Sequence, residues 1–153
     1  MIDIGDKLPD FELPRDGGNM VKLSDFTGKT LVLFLYPKDD TSGCTKESIE
    51  FTEKKALFDA EGAVIVGLSK DSVKSHDKFV VKHDLGVMLI SDESCKLVEA
   101  LGAWVEKSMY GRKYMGIERT TLLVDSTGVI RNLWRKVKVP GHVDAVLEAV
   151  KTL

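Results

Sequence analysis

A chain of 153 residues with 43% apolar and 30% charged side chains has the composition of an ordinary globular domain built around one core. Its formal net charge of −2 gives no electrostatic reason to expect nucleic acid or anionic lipid as a partner. It has no window of about 18 apolar residues to span a membrane. The opening "MIDIGDKLPDF" is acidic and lacks an apolar run, so it does not read as a signal peptide. A cytoplasmic location is the expectation, and there the two cysteines, Cys44 and Cys95, rest as thiols. Neither belongs to a CxxC pair, and no metal or cofactor is expected.

In chain order, Gly17-Gly18-Asn19 separates two short apolar segments and predicts a hairpin. Residues 30–36, "TLVLFLY", form a continuous apolar run, which predicts a strand buried on both faces. From Cys44 the pattern turns helical and stops at Gly62. "AVIVGLS" (63–69) predicts a second buried strand, and residues 71–84 a helix with Asp71 or Ser72 as N-cap. Residues 86–92 predict a third strand. "ESCKLVEALGA" predicts a short helix, holding Cys95 and ended by Gly102. Two strands flank Ser126-Thr127-Gly128, and the basic run "WRKVK" (134–138) is read as a basic strand with a solvated face. Residues 141–153 close the chain as an amphipathic helix. The order hairpin, βαβαβα, hairpin, α implies an α/β fold: one domain over residues 1–153, with a mixed central sheet flanked by helices. His76 and His83 lie seven residues apart on one predicted helix, too far for a metal-binding i, i+4 pair. Both, with His142, are read as surface residues.

The stretch "YPKDDTSGCTKES" (36–48) places Cys44 beyond the carboxyl end of a strand, where open α/β sheets collect reactive groups, and at the start of a helix. Position alone leaves two readings open, a buried inert thiol or a nucleophile. A cysteine with an ordinary pKa near about 8.5 needs about 2.7 kcal/mol to become mostly thiolate at neutral pH. A helix N-terminus contributes about 0.3–2 kcal/mol, so a nucleophile here also needs a nearby cation. Pro37 fixes the chain leaving the strand, and Thr41 offers a hydroxyl three residues before Cys44.

"P-K-D-D-T-S-G-C" resembles the P-x-x-x-T-x-x-C signature of the peroxiredoxins, and the surrounding wording resembles their bacterioferritin-comigratory-protein branch, also called peroxiredoxin Q. The likeness resumes at "LISDES", "LGAW" and "EKSMYGRKYMGIERTTLLVD". It implies a thioredoxin-like fold with an N-terminal hairpin extension and a thiol peroxidase acting on hydrogen peroxide and organic hydroperoxides. By the resemblance Cys44 is the peroxidatic nucleophile, shielded by Pro37, with Thr41 positioning the peroxide. Arg119 is the cation that pairs with the thiolate, and Glu47, one turn after Cys44, is a candidate to orient it. The implied reductant is thioredoxin or another dithiol, and the implied unit a monomer. Two departures stand out. Ser42 replaces a common proline, and Ile49 occupies the place of a resolving cysteine used by some members. Cys95 is then the candidate resolving residue. A thioredoxin-like redox sensor or holdase without turnover is the alternative.

Overall fold

The computed structural model describes residues 2–153. Strands β1 (Glu12–Pro14) and β2 (Met20–Lys22) form the N-terminal hairpin, and a 3-10 turn (Leu23–Phe26) follows. The body then runs β3 (Thr30–Leu35), α1 (Ser42–Ala60), β4 (Ala63–Ser69), α2 (Val73–His83), β5 (Met88–Ser91) and α3 (Lys96–Ala100). It finishes with β6 (Trp104–Met109), β7 (Arg112–Ile117), β8 (Thr120–Val124), β9 (Ile130–Trp134) and α4 (His142–Lys151). The central sheet has the order β5-β4-β3-β8-β9. Strands β3, β4 and β5 are parallel, joined by the crossover helices α1 and α2, while β8 and β9 are antiparallel additions. The mixed sheet, the flanking helices and the N-terminal hairpin agree with the sequence expectation.

Alternation along β3 divides the interior into two cores. Leu31, Leu33 and Leu35 pack with Leu8, Phe11 and Phe26 of the N-terminal segment and with Leu97 and Val98 of α3. Val32, Phe34 and Tyr36 pack on the other face with Phe51 and Phe58 of α1, Phe79 of α2 and Val146 of α4. The unbroken apolar run of β3 is thus two alternating faces, each covered. Phe34 stacks on Phe51 with ring centroids 4.7 Å apart.

Several local expectations are corrected. Helix α1 begins at Ser42, two residues before Cys44, whereas the cap of α2 is one of the two expected, Ser72, whose hydroxyl accepts from Ser75 N–H. The helix expected around Cys95 spans only Lys96–Ala100. Cys95 precedes it as a left-handed cap with φ 61°. The basic run is not a strand beyond its first residue: β9 stops at Trp134, and Arg135 turns to donate to the carbonyls of Leu101 and Gly102. His76 and His142 are buried, because each ring finds a polar partner, Asp39 for the first and Thr121 for the second. The hairpin β6–β7 was not anticipated. Tyr110 and Gly111 both take positive φ, 52° and 77°, which suits a two-residue hairpin turn.

Gly67 of β4 sits where β4 crosses the Phe34 face. A β-carbon there would lie 2.7 Å from Leu89 Cδ2 and 2.8 Å from Phe34 Cζ. Both neighbours are fully buried, so neither side chain has room to retreat. Gly67→Ala is expected to destabilise the fold by about 1–3 kcal/mol, measured by urea denaturation. An unchanged midpoint would show that this core yields.

Candidate active site

Three parts of the chain meet at the carboxyl end of β3. The loop 36–41 leaves β3, α1 starts at once, and β8 arrives from the opposite direction. The antiparallel register pairs Leu35 with Thr120, so the residue just before β8, Arg119, is delivered beside the end of β3. Its backbone is held there by Val137 N–H, which donates to the Arg119 carbonyl at 3.0 Å.

Thr41 is the N-cap of α1, and the first helical bond runs from Thr45 N–H to the Thr41 carbonyl. The N–H groups of Ser42, Gly43 and Cys44 therefore have no acceptor inside the helix and form a positive end. Cys44 lies within this turn, 1% exposed. The Thr41 side chain does not cap the helix; its hydroxyl donates to the Lys38 carbonyl at 2.8 Å. That fixes the hydroxyl proton and leaves the oxygen lone pairs free to accept. Thr41 is exposed and Pro37 half-buried.

The cation that the energy argument requires is present. Arg119 donates from one guanidinium nitrogen to Cys44 Sγ at 3.3 Å and from another to Glu47 Oε1 at 2.8 Å. Burial works against this charge, but Cys44 and Glu47 outweigh it and hold Arg119 above its ordinary value. Glu47 is fully buried, and burial raises its carboxyl to about 7 in spite of Arg119. The reason is visible: Oε2 has no hydrogen-bond partner among the described residues.

The sequence reading missed several residues of the site. Gly43 is one: a β-carbon there would lie 3.1 Å from an Arg119 nitrogen, so the glycine lets the guanidinium approach the helix turn. Glycine in a first helical turn costs stability relative to alanine, which was the available signal. Lys107 of β6 is another. Burial lowers its amine and Arg119 lowers it further, while Cys44 acts the other way. His142 donates to or accepts from Thr121 at 2.8 Å, and burial, then Arg119, lowers it to about 4, so it stays neutral.

The structure brings together Cys44, Thr41, Pro37, Arg119 and Glu47, but not Cys95. Both cysteines are free and buried. Cys44 belongs to the core on the α1 face and Cys95 to the core on the α3 face, with the central sheet between them. Trp104 packs on the Cys95 side, with Lys70 5.7 Å from its ring centre. Burial and then Asp92 push the Cys95 thiol up, which leaves it a weak nucleophile as folded.

Glu47 gives a testable pH dependence. Its folded value, about 7, lies above the ordinary 4.5, so its contribution to stability is complete below about 4.5 and is lost as pH rises to about 7. The size is on the order of 3 kcal/mol. Glu47→Gln is expected to remove this fall, read from urea denaturation of the reduced protein across that window. A variant with the same slope as the parent would assign the fall to another group.

The AhpC/TSA family model matches residues 4–133. Peroxiredoxin Bcp of Bacillus subtilis is 47% identical over 152 residues, covering 99% of this chain and 97% of the relative. Peroxiredoxin Bcp of Escherichia coli is 35% identical over 150 residues, covering 98% and 96%. Among solved structures, a cysteine-to-serine mutant of Xylella fastidiosa peroxiredoxin Q superposes with a TM-score of 0.95 at 40% identity, covering 99% of this chain and 97% of that one. The Xanthomonas campestris bacterioferritin comigratory protein, solved as trapped intermediate and ligand complexes bearing on its alkyl peroxide reduction activity, superposes at 0.92 and 44%, covering 98% of each. The chain has the thioredoxin-like fold of these proteins. It belongs to the AhpC/TSA family and, within it, to the thiol-dependent peroxidases of the Bcp, or peroxiredoxin Q, branch.

Proposed function

We propose that Cys44 is the nucleophile of this peroxidase and that Arg119, Thr41, Pro37 and Glu47 complete its site. The observation that carries the reading is the 3.3 Å contact between the Arg119 guanidinium and the buried Cys44 Sγ in the first turn of α1. Arg119 stabilises the thiolate before reaction. A peroxide O–H donates to the Thr41 oxygen, whose own proton is committed to Lys38. The thiolate attacks the nearer peroxide oxygen, the O–O bond breaks, and the departing oxygen leaves as hydroxide or alkoxide and takes up a proton. Arg119 and the free N–H groups of the first α1 turn face the charge that builds there, as donors face an oxyanion. Pro37 presents no N–H and shields the sulfur. Glu47 holds the guanidinium in plane toward Cys44.

The product is a Cys44 sulfenic acid, which condenses with a second thiol to release water and form a disulfide. The position of Cys95 across the sheet supports an external thiol as the first partner. An intramolecular bond needs Cα atoms within about 7 Å, and so needs local unwinding around Cys44, around Cys95 or around both. In this reading the reductant is a thioredoxin-type dithiol and the working unit is a monomer of one domain. The compartment is a reducing cytoplasm. Hydrogen peroxide and organic hydroperoxides are the substrates, the latter supported by the alkyl peroxide activity of the Xanthomonas relative.

Cys44→Ser is expected to abolish peroxide consumption, and Arg119→Ala to slow the reaction with peroxide by about 10²–10³-fold. Mass spectrometry after one equivalent of peroxide is expected to find the sulfenic acid, or its mixed disulfide with an added thiol, on Cys44 and a free Cys95. A Cys44–Cys95 disulfide formed under native conditions would overturn the external-thiol reading. Unchanged turnover in Cys44→Ser would overturn the assignment of the nucleophile.

A further inference from the structure

Beside Cys44, the loop that carries Pro37 and Thr41 rests on a buried polar network that the peroxide chemistry does not use. The Asp39 side chain is 4% exposed and His76 fully buried. The Asp39 carboxylate accepts from the Tyr36 hydroxyl at 2.6 Å on Oδ1, and from the Ser75 hydroxyl at 2.8 Å on Oδ2. His76 Nδ1 meets the same Oδ2 at 2.7 Å. The Asp39 N–H donates to Asp71 Oδ2 at 2.9 Å, an oxygen that also takes the Ser69 hydroxyl at 2.7 Å. The other ring nitrogen, His76 Nε2, lies 3.0 Å from the Ile90 carbonyl oxygen of β5.

The geometry sets the proton count. A carbonyl oxygen only accepts, so Nε2 carries a hydrogen. Nδ1 faces a carboxylate oxygen, and a bond forms only with a proton between them, on nitrogen or on oxygen. The His76–Asp39 pair therefore holds one proton more than a neutral histidine beside an ionised aspartate. Removing it sets a ring lone pair against an oxygen lone pair inside a dry core, where an unmade polar contact is costly.

The charged groups that act on His76 are Asp39, from the loop, and Asp71, from the turn before α2. The Tyr36 phenol, the Ser75 hydroxyl and the Ile90 carbonyl complete the neutral polar surroundings. Burial opposes a charged ring, but Asp39, the Ile90 carbonyl and Asp71 outweigh it, and His76 titrates above its ordinary value. Burial and Asp39 also keep Tyr36 a hydroxyl donor, well above its ordinary range. Helix α2 grips the next loop residue as well: Asp40, at φ 61°, takes Lys82 at 2.6 Å and His83 at 2.8 Å.

We propose that His76, in its proton-sharing pair with Asp39, is a positioning residue for the peroxidase reaction: it clamps the loop between Pro37 and Thr41 onto α2 and thereby sets the first turn of α1, with Cys44, against Arg119. The inference rests on the peroxidase reading above. Loss of the pair's proton leaves one ring contact, to Asp39 or to the Ile90 carbonyl, unmade and loosens the seat of the loop on α2, and a misplacement of about 1 Å at Thr41 or the helix turn costs about 100-fold in rate. The sign follows from the raised value. The clamp is complete below the ordinary histidine pKa, about 6.5, and is lost as pH rises through the higher folded value.

The test couples two measurements on the reduced wild-type protein. Nitrogen-15 spectra of the histidine rings follow His76 through its titration, while stopped-flow kinetics give the second-order rate constant of Cys44 with hydrogen peroxide over the same pH range. Both ring nitrogens of His76 are expected to read as hydrogen-bonded donors at neutral pH, and the rate is expected to fall with the same midpoint as the ring deprotonates. Asp39→Asn is the conservative rescue. Its amide donates to a neutral ring at Nδ1 and still accepts from Tyr36, so the rate is expected to stay within about threefold at neutral pH while that alkaline fall disappears. His76→Leu removes both ring contacts and is expected to lose about 10–100-fold in rate. Should His76→Leu not fold, the wild-type titration and Asp39→Asn decide. A rate constant that is flat across the His76 titration, or an alkaline fall that persists in Asp39→Asn, overturns the proposal. Failure of the underlying reading looks different: peroxide consumption then survives Cys44→Ser, whatever His76 does.

Discussion

The site depends on one half-buried positive charge. Arg119 is drawn out of water to stand between a sulfur and a carboxylate, and an uncompensated guanidinium there would cost several kcal/mol. Much of the surrounding structure answers that constraint. Glu47 supplies the counter-charge from one turn along α1, Gly43 omits the β-carbon that would crowd the guanidinium, and His142 stays neutral. The antiparallel entry of β8 makes the arrangement possible, because it places the residue before β8 at the exit of β3. A parallel strand in that position would bring its other end to the same place.

The charge balance is deliberately incomplete. Glu47 bonds Arg119 through one oxygen only, so its carboxyl is harder to ionise than a fully paired one, and Arg119 keeps part of its field for Cys44. A carboxylate satisfied at both oxygens would neutralise the guanidinium more fully and leave less for the thiolate. The same economy holds in the loop, where the Thr41 proton is spent on Lys38 so that the oxygen faces outward as an acceptor.

Much of this was legible in the sequence because it is local. The continuous run of β3, the turn glycines and the spacing of Pro37, Thr41 and Cys44 lie within a few residues of one another. Arg119 and Glu47 came only through the family resemblance, since no periodicity connects residues 72 positions apart. His76 and His142 were misread for the same reason. A histidine on an amphipathic helix looks solvated until its partner is known, and Asp39 lies 37 residues from His76. Cys95 looked helical because "CKLVEALG" has a helical composition, but the chain takes a left-handed conformation there before the helix begins. The hairpin β6–β7 escaped because it buries little, so the alternation that betrays a strand is absent.

That hairpin has a consequence for how such a site can diversify. Among the described residues its strands pair only with each other, its tip residue Tyr110 is 98% exposed, and Met109, Tyr114 and Met115 stand in solvent beside it. Changes at the tip therefore carry little penalty in folding. Yet β7 leads within two residues to Arg119, and Lys107 of β6 reaches into the field of Cys44. The hairpin is a tunable surface tethered to a fixed reactive centre. Selection can reshape what approaches the sulfur there while the registers of β3, β8 and α1, and the chemistry they hold, stay untouched.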